Sequence, residues 1–86
     1  MTNYRAITIS HLPATDTKCT RTKLKDERFL ETITLSRDYY YSNGIEQAKA
    51  HLLEQCINIV GQAEYSNFKT IVFTDDFETS IKGGKL

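Results

Sequence analysis

The sequence predicts an α+β fold, an antiparallel sheet of three to four strands with one amphipathic helix packed on one face. Two patterns indicate this class. Apolar and polar residues alternate in several short stretches, as in half-buried strands, and recur at three- and four-residue steps in one longer stretch, as in a helix. With 86 residues, 40% of them hydrophobic and 26% charged, the chain suits one small domain with one core. The predicted order is β-β-β-α-β.

The strands are predicted from alternation and from β-branched residues. In the first, Ile7 and Ile9 point inward, and Pro13 follows as a break because proline has no amide hydrogen for a sheet ladder. The second strand carries Cys19, Arg21, Lys23 and Lys25 on one face. A turn at 26–28 precedes the third strand, and a polar linker at 62–66 precedes the last. The predicted strands are 5–10, 18–25, 29–36 and 67–74.

The helix is predicted over residues 44–60. Asn43, with Glu46 three residues later, forms a capping box at its start, and Gly61 stands where a left-handed stop is expected. Its buried stripe is predicted to contain Ile45, Ala48, Leu52, Leu53, Cys56, Ile57 and Val60.

Domain limits and location follow from the remaining composition. Residues 1–76 are predicted to form the single domain, and 77–86 a flexible C-terminal tail, because periodicity is lost there. No stretch reaches the roughly 20 apolar residues of a membrane span, and the two cysteines form no CxxC pair. A cytoplasmic location with reduced thiols and no membrane partner is therefore expected.

Charge is balanced overall but unevenly distributed. The chain has 11 basic and 11 acidic residues, yet residues 1–37 carry a net charge of +3 and residues 38–86 a net charge of −3. This asymmetry indicates a bipolar surface rather than the strongly basic balance of a dedicated nucleic-acid binder.

One candidate binding surface combines the basic second strand with a run of three tyrosines. Positive side chains and threonines on a strand suit phosphate oxygens, and exposed tyrosines suit base stacking. The competing interpretation is a solvated outer sheet face, since a sheet covered on one side needs polar residues on the other. The candidate residues are Lys18, Arg21, Lys23, Lys25, Arg28, Tyr39, Tyr40 and Tyr41.

Catalytic and metal sites are not expected. His11, His51 and the two cysteines are enough in number for zinc, but they lack the close spacing of paired ligands. No nucleophile motif is present, and the acids at 75–78 are interpreted as a solvated strand end. We therefore predict no enzyme activity, no metal and no cofactor.

Residues 4–23 contain a Tyr-Arg-Ala-Ile-Thr strand, a Leu-Pro-Ala-Thr-Asp-Thr-Lys loop and a basic Thr-Arg-Thr-Lys segment. This stretch resembles the opening of a family of small proteins encoded by bacteria, phages and plasmids. The resemblance implies a strand-rich fold with one helix and a mobile-element setting. The chain departs from the family in its tyrosine run and in a helix with few alanines.

Three functions are expected, in this order. The first is a non-enzymatic module of a mobile element that binds a host protein and inhibits a defence or nucleic-acid-processing protein, as anti-CRISPR proteins of this size do. The first alternative is direct nucleic-acid binding through the basic second strand. The second alternative is a small enzyme or metal protein. A homodimer is a further expectation, because a short sheet leaves an edge or a face uncovered.

Overall fold

A computed structural model describes residues 3–14, 16–17, 20–66 and 69–85. They form a five-stranded sheet in the order β3-β2-β1-β5-β4, in which all neighbouring strands are antiparallel. The α+β class is thus confirmed, but the sheet has five strands rather than the predicted three to four, and the element order is β-β-β-α-β-β rather than β-β-β-α-β. The elements are β1 Arg5–Leu12, β2 Arg21–Asp26, β3 Thr32–Ser36, α1 Gly44–Glu54, β4 Gly61–Ser66 and β5 Lys69–Thr74.

The core lies between the sheet and α1. Ile7 and Ile9 point toward the helix as predicted, and they meet Ala48 and Leu52 of α1. The helix packs mainly on β2 and β1, the central strand. The full set of buried apolar residues is Ile7, Ile9, Leu24, Ala48, Leu52, Ile57, Val72 and Ile81.

β4 was predicted as a polar linker, and that prediction is wrong. The strand begins at Gly61, the residue expected to stop the helix, and pairs with β5. It lies at the edge of the sheet and is exposed along almost all of its length. Because neither of its faces is deeply buried, its sequence lacks the alternation that indicates a strand.

The bounds of the other strands differ from the prediction, and β1 continues two residues further, to Leu12. β2 is described from Arg21, and Lys18 and Cys19 lie outside the described residues, as do residues 67–68 before β5. β3 begins at Thr32 rather than Phe29, because Asp26 accepts backbone hydrogen bonds from Arg28 and Phe29 and so forms a turn.

The helix begins as predicted and ends earlier. Asn43 caps its start by accepting a hydrogen bond of 2.9 Å from the Glu46 amide. At the other end Cys56 has a left-handed φ of 64°. The amides of Cys56 and Ile57 donate to the carbonyls of Leu53 and Leu52, which is the Schellman pattern that terminates helices.

This early end corrects the predicted buried stripe. Cys56 is exposed rather than part of the core. Leu53 is 64% exposed and Val60 is 51% exposed, since the chain has left the helix axis by Val60. Ala48, Leu52 and Ile57 keep their predicted burial.

The segment after β5 is packed on the domain, although residues 77–86 were predicted to be a tail outside it. Ile81 is fully buried in the core, and its carbonyl lies 2.8 Å from His51 Nε2 of α1. Thr79 and Lys85 form an isolated antiparallel bridge. The domain boundary at residue 76 is therefore placed too early.

Within the described part of the chain, we find no helix with the length and apolar character needed to cross a membrane.

Candidate nucleic-acid interface

The strand register identifies a sheet face that α1 does not cover. Residues paired across antiparallel strands point to the same side of a sheet. Ile9 pairs with Leu24, and both are buried in the core beneath α1. The next pair points the opposite way: Ser10 lies between Lys23 of β2 and Lys69 of β5. We call this side of the sheet the open face.

Three positive side chains follow one another along β2 on the open face. Arg21, Lys23 and Lys25, here called the basic stripe, alternate with the buried residues of the strand. Alternate strand residues are about 6.7 Å apart, and Lys69 lies two strand spacings, about 10 Å, from Lys23. The predicted placement of the basic stripe on one face is confirmed by the register.

Hydroxyl side chains surround the basic stripe. Each of its three residues faces a serine or threonine on β3, and two of the three also face one on β1. At the paired outward positions that the structure describes, no strand carries an aspartate or glutamate. The hydroxyl-bearing residues of this face are Thr8, which is buried, and Ser10, Thr32, Thr34 and Ser36.

One acid reaches the open face from a loop. Glu27, just after β2, accepts a hydrogen bond of 2.8 Å from the Thr8 hydroxyl. Its other carboxylate oxygen lies 3.9 Å from Lys25 Nζ, with both side chains 45% exposed. Such an exposed pair is weak. Glu27 therefore offsets part of the charge of Lys25 and leaves Arg21 and Lys23 as the stronger cations of the stripe.

Arg28, another predicted member of the surface, lies in the turn beyond β2. Its guanidinium sits 5.6 Å from the centroid of the Phe29 ring and 5.1 Å from that of Phe77. It is thus engaged between two aromatic rings at one end of the sheet. Lys18 lies outside the described residues.

The three tyrosines lie between β3 and α1, and the structure does not bring all of them to the basic stripe. Tyr41 lines a groove on the helix side, and its ring meets that of Tyr40 edge-on at 5.2 Å. Tyr39 and Tyr40 are 80% and 86% exposed. Tyr41 therefore lies on the side of the sheet opposite the basic stripe.

That groove has a volume of about 570 Å³ and is mainly apolar. Its walls include Leu53 of α1, together with Ile57 and Ile59 after the helix. Glu46 and Lys49 also line the groove, with Lys49 Nζ 3.8 Å from Glu46 Oε1. A groove of this kind suits an apolar side chain of a protein partner better than a phosphate.

A buried ion pair lies at one end of the sheet, and the sequence patterns did not indicate it. Arg5 Nε donates to Asp26 Oδ2 at 2.8 Å, and Nη2 lies 2.5 Å from the same oxygen, with both side chains fully buried. Arg5 Nη1 donates to the carbonyl of Thr79 at 2.6 Å. Arg5 thus ties β1 to the end of β2 and to the C-terminal segment.

Asp76 organises the same segment. It accepts hydrogen bonds from the amides of Glu78 and Thr79 and from the Thr79 hydroxyl. Desolvation by burial raises the pKa of Asp76, but these hydrogen bonds together with the charge of Arg5 outweigh it and hold the pKa below its ordinary value of 3.8. The charged carboxylate is therefore the form that the fold stabilises.

Metal ligands do not converge within the described ranges. No group of three or more His, Cys, Asp or Glu residues there is arranged to hold an ion. Cys19, one of the four residues considered for zinc, lies outside those ranges, and Cys56 is exposed beyond the end of α1.

Comparisons with protein-family models, curated proteins and solved structures found no match. The resemblance of residues 4–23 to a family of mobile-element proteins stays a prediction.

Proposed function

We propose that this protein binds the phosphate backbone of a nucleic acid through the open face of its sheet. The observation that carries the proposal is the gathering of Arg21, Lys23, Lys25 and Lys69 on one uncovered face, with no acid at the paired strand positions that the structure describes. A binding module of this kind has no catalytic role, in line with the prediction that the protein is not an enzyme.

The chemistry of the open face suits phosphates. Lysine and arginine neutralise phosphate charge and release condensed counterions, while serine and threonine hydroxyls donate to phosphate oxygens. The spacing along the basic stripe is comparable to that of successive phosphates in an extended strand. The net charge of zero is compatible with phosphate binding. Salt screens charges that lie far from the open face, so the attraction of a phosphate depends mainly on the charges of that face.

Fluorescence anisotropy with labelled DNA and RNA tests the proposal. Wild-type protein should bind at low salt, and log affinity should fall linearly with log salt between about 50 and 200 mM. Arg21→Ala/Lys23→Ala should weaken binding and reduce the salt slope by about 1.5, because two phosphate contacts are lost.

Two control variants sharpen this measurement. Lys49→Ala/Lys82→Ala removes the same charge from outside the open face and should leave affinity and slope near wild type. Glu27→Gln should act in the opposite direction and tighten binding, because it releases Lys25. Absence of binding at low salt, or equal losses in both double-alanine variants, would refute the proposal.

A protein-binding module of a phage or plasmid, acting on a cytoplasmic host protein, is the second candidate. It is supported by the helix-side groove and by the exposed rings of Tyr39 and Tyr40, since exposed tyrosines are enriched at protein interfaces. Tyr40→Ala/Leu53→Ser should then abolish retention of a host protein that Arg21→Ala/Lys23→Ala still retains. The reverse result would favour the open face.

A homodimer is a third element of the proposal. β3 and β4 are edge strands of the sheet, and edge strands present unpaired backbone groups to another chain. Analytical ultracentrifugation at increasing protein concentration measures whether copies pair.

A further inference from the structure

The open face has a second half that is apolar. Beyond the central strand, β5 presents Ile71 and Phe73 to the same side as the basic stripe. Ala63 and Gly61 of β4 face them across the next ladder. In these two pairs, one aromatic ring and one branched aliphatic side chain each stand opposite a very small residue.

Phe73 is flanked by the smallest side chains of this half-face. It is paired with Ala6 on one side and Gly61 on the other. A Cβ added at Gly61 would lie 3.7 Å from Phe73 Cδ2, in van der Waals contact with the ring. Because glycine has no such atom, no side chain at position 61 contacts the ring, and Phe73 is partly exposed.

A second aromatic ring lies further along the same hairpin. Tyr65 of β4 is 72% exposed, and Lys69 Nζ sits 5.8 Å from the centroid of its ring. Lys69 also stands beside Ser10 and across from the basic stripe. Lys69 therefore lies between the ring of Tyr65 and the part of the open face that carries the basic stripe.

We infer that Phe73 is a base-stacking platform and that the ligand of the open face is a single-stranded nucleic acid. This inference rests on the proposed function. The strand lies with its phosphates along the basic stripe and its bases over Phe73 and Ile71. Ile71 lies two strand spacings, about 10 Å, from Lys25, and Phe73 lies one alternate position, about 6.7 Å, further along β5. Lys25 is therefore the residue of the basic stripe nearest the platform.

The arrangement selects against a duplex. In double-stranded DNA the flat sides of the bases are covered by their neighbours, and only their edges are offered in the grooves. A ring on a sheet face reaches flat base surfaces only in an unpaired strand, where base–aromatic stacking adds affinity without sequence preference. Phosphate contacts alone would not distinguish the two ligands in this way.

The chain has no tryptophan, so Phe73→Trp introduces a single tryptophan at the platform, and its fluorescence can be excited selectively over that of the tyrosines. Its emission should be quenched when a single strand of about 12 nucleotides binds, and should change little on addition of the matching duplex. Tyr65→Phe is combined with Phe73→Trp as a control, because it removes the hydroxyl of the nearby ring while keeping the ring itself.

Affinity measurements on variants without the tryptophan reporter complete the test. Phe73→Leu should weaken single-strand binding about tenfold or more while leaving the salt slope unchanged, and Phe73→Tyr should restore it. Gly61→Val should weaken single-strand binding in the same way by covering the ring. Urea denaturation establishes that each variant remains folded.

The outcomes separate the two proposals. If Phe73→Leu binds single strands as wild type does, while Arg21→Ala/Lys23→Ala loses affinity, the stacking platform is refuted and phosphate binding stands. Equal wild-type affinity for single strand and duplex likewise overturns the platform. If wild type binds neither ligand at low salt, both proposals fail.

Discussion

The two faces of the sheet use arginine in opposite ways. Arg5 lies on the side of the sheet beneath α1, here called the closed face. It is fully buried there, and its guanidinium contacts Asp26 and two backbone carbonyls. Arg21 on the open face remains partly exposed and faces Leu12 and Ser36. The position of an arginine within the strand alternation, rather than its residue type, therefore decides whether its charge stabilises the fold or is left for a ligand.

The largest expected effect is at the buried ion pair. Asp26→Asn should lower the free energy of unfolding by about 3–5 kcal/mol, because it leaves the Arg5 charge buried without a partner. Urea denaturation measures this. Arg21→Gln on the open face is the matched control and should change stability by no more than about 0.5 kcal/mol. Equal effects of the two substitutions would abolish the distinction between the faces.

A close contact on the closed face predicts the next largest effect. A Cβ at Gly44 would overlap Thr22 Oγ1 where α1 approaches β2. Gly44→Ala should therefore lower the free energy of unfolding by about 1–3 kcal/mol, although helix propensity alone favours alanine. The loss should shrink in a Thr22→Ala background. A gain in stability would show that the helix does not approach β2 this closely.

The acid response reports on the end of the closed face. Since folding lowers the pKa of Asp76 from 3.8, its stabilising contribution is present above that value and is lost as pH falls through the folded pKa. As the pH is lowered from 5, the free energy of unfolding should decrease less in Asp76→Asn than in wild type.

A partial control for this response is available. Thr79→Val removes one of the hydrogen bonds to Asp76. It should therefore reduce the acid-dependent decrease in the free energy of unfolding, but by less than Asp76→Asn does. An unchanged pH dependence in both variants would contradict the assigned role of Asp76.

The smallest effect is at the end of α1. Cys56 adopts a left-handed φ of 64°, which costs roughly 1 kcal/mol in residues with a Cβ. Cys56→Gly should therefore raise the free energy of unfolding by about 0.5–1 kcal/mol, whereas Cys56→Ala should bring no such gain. Thermal denaturation under reducing conditions compares them, and equal stability of the two would argue against a left-handed stop.

The sequence predicted the features that depend on local pattern. Alternation located Ile7 and Ile9 and the basic stripe, and the Asn43 cap placed the start of α1. It missed β4, because an exposed edge strand has no apolar period, and it missed the early helix end, because a cysteine stands where glycine is usual. It also placed Ile81 outside the domain, since a single buried residue in a turn segment has no periodic signature.

The candidate site could be predicted only in part. The basic stripe lies on one strand, so its spacing is visible in the sequence. Phe73 joins it only through the strand order, which sets β5 beside β1, and the uncovered ring depends on Gly61 in a strand that was not predicted. The tyrosine run shows the converse, because its nearness in sequence to β3 does not bring Tyr41 to the open face.

The most direct test of the central claim measures affinity and stability on the same variant, Arg21→Ala/Lys23→Ala. We expect weaker single-strand binding, a salt slope smaller by about 1.5, and a free energy of unfolding within about 1 kcal/mol of wild type. Wild-type affinity in this variant, or a loss of binding that follows only from unfolding, would contradict the central claim.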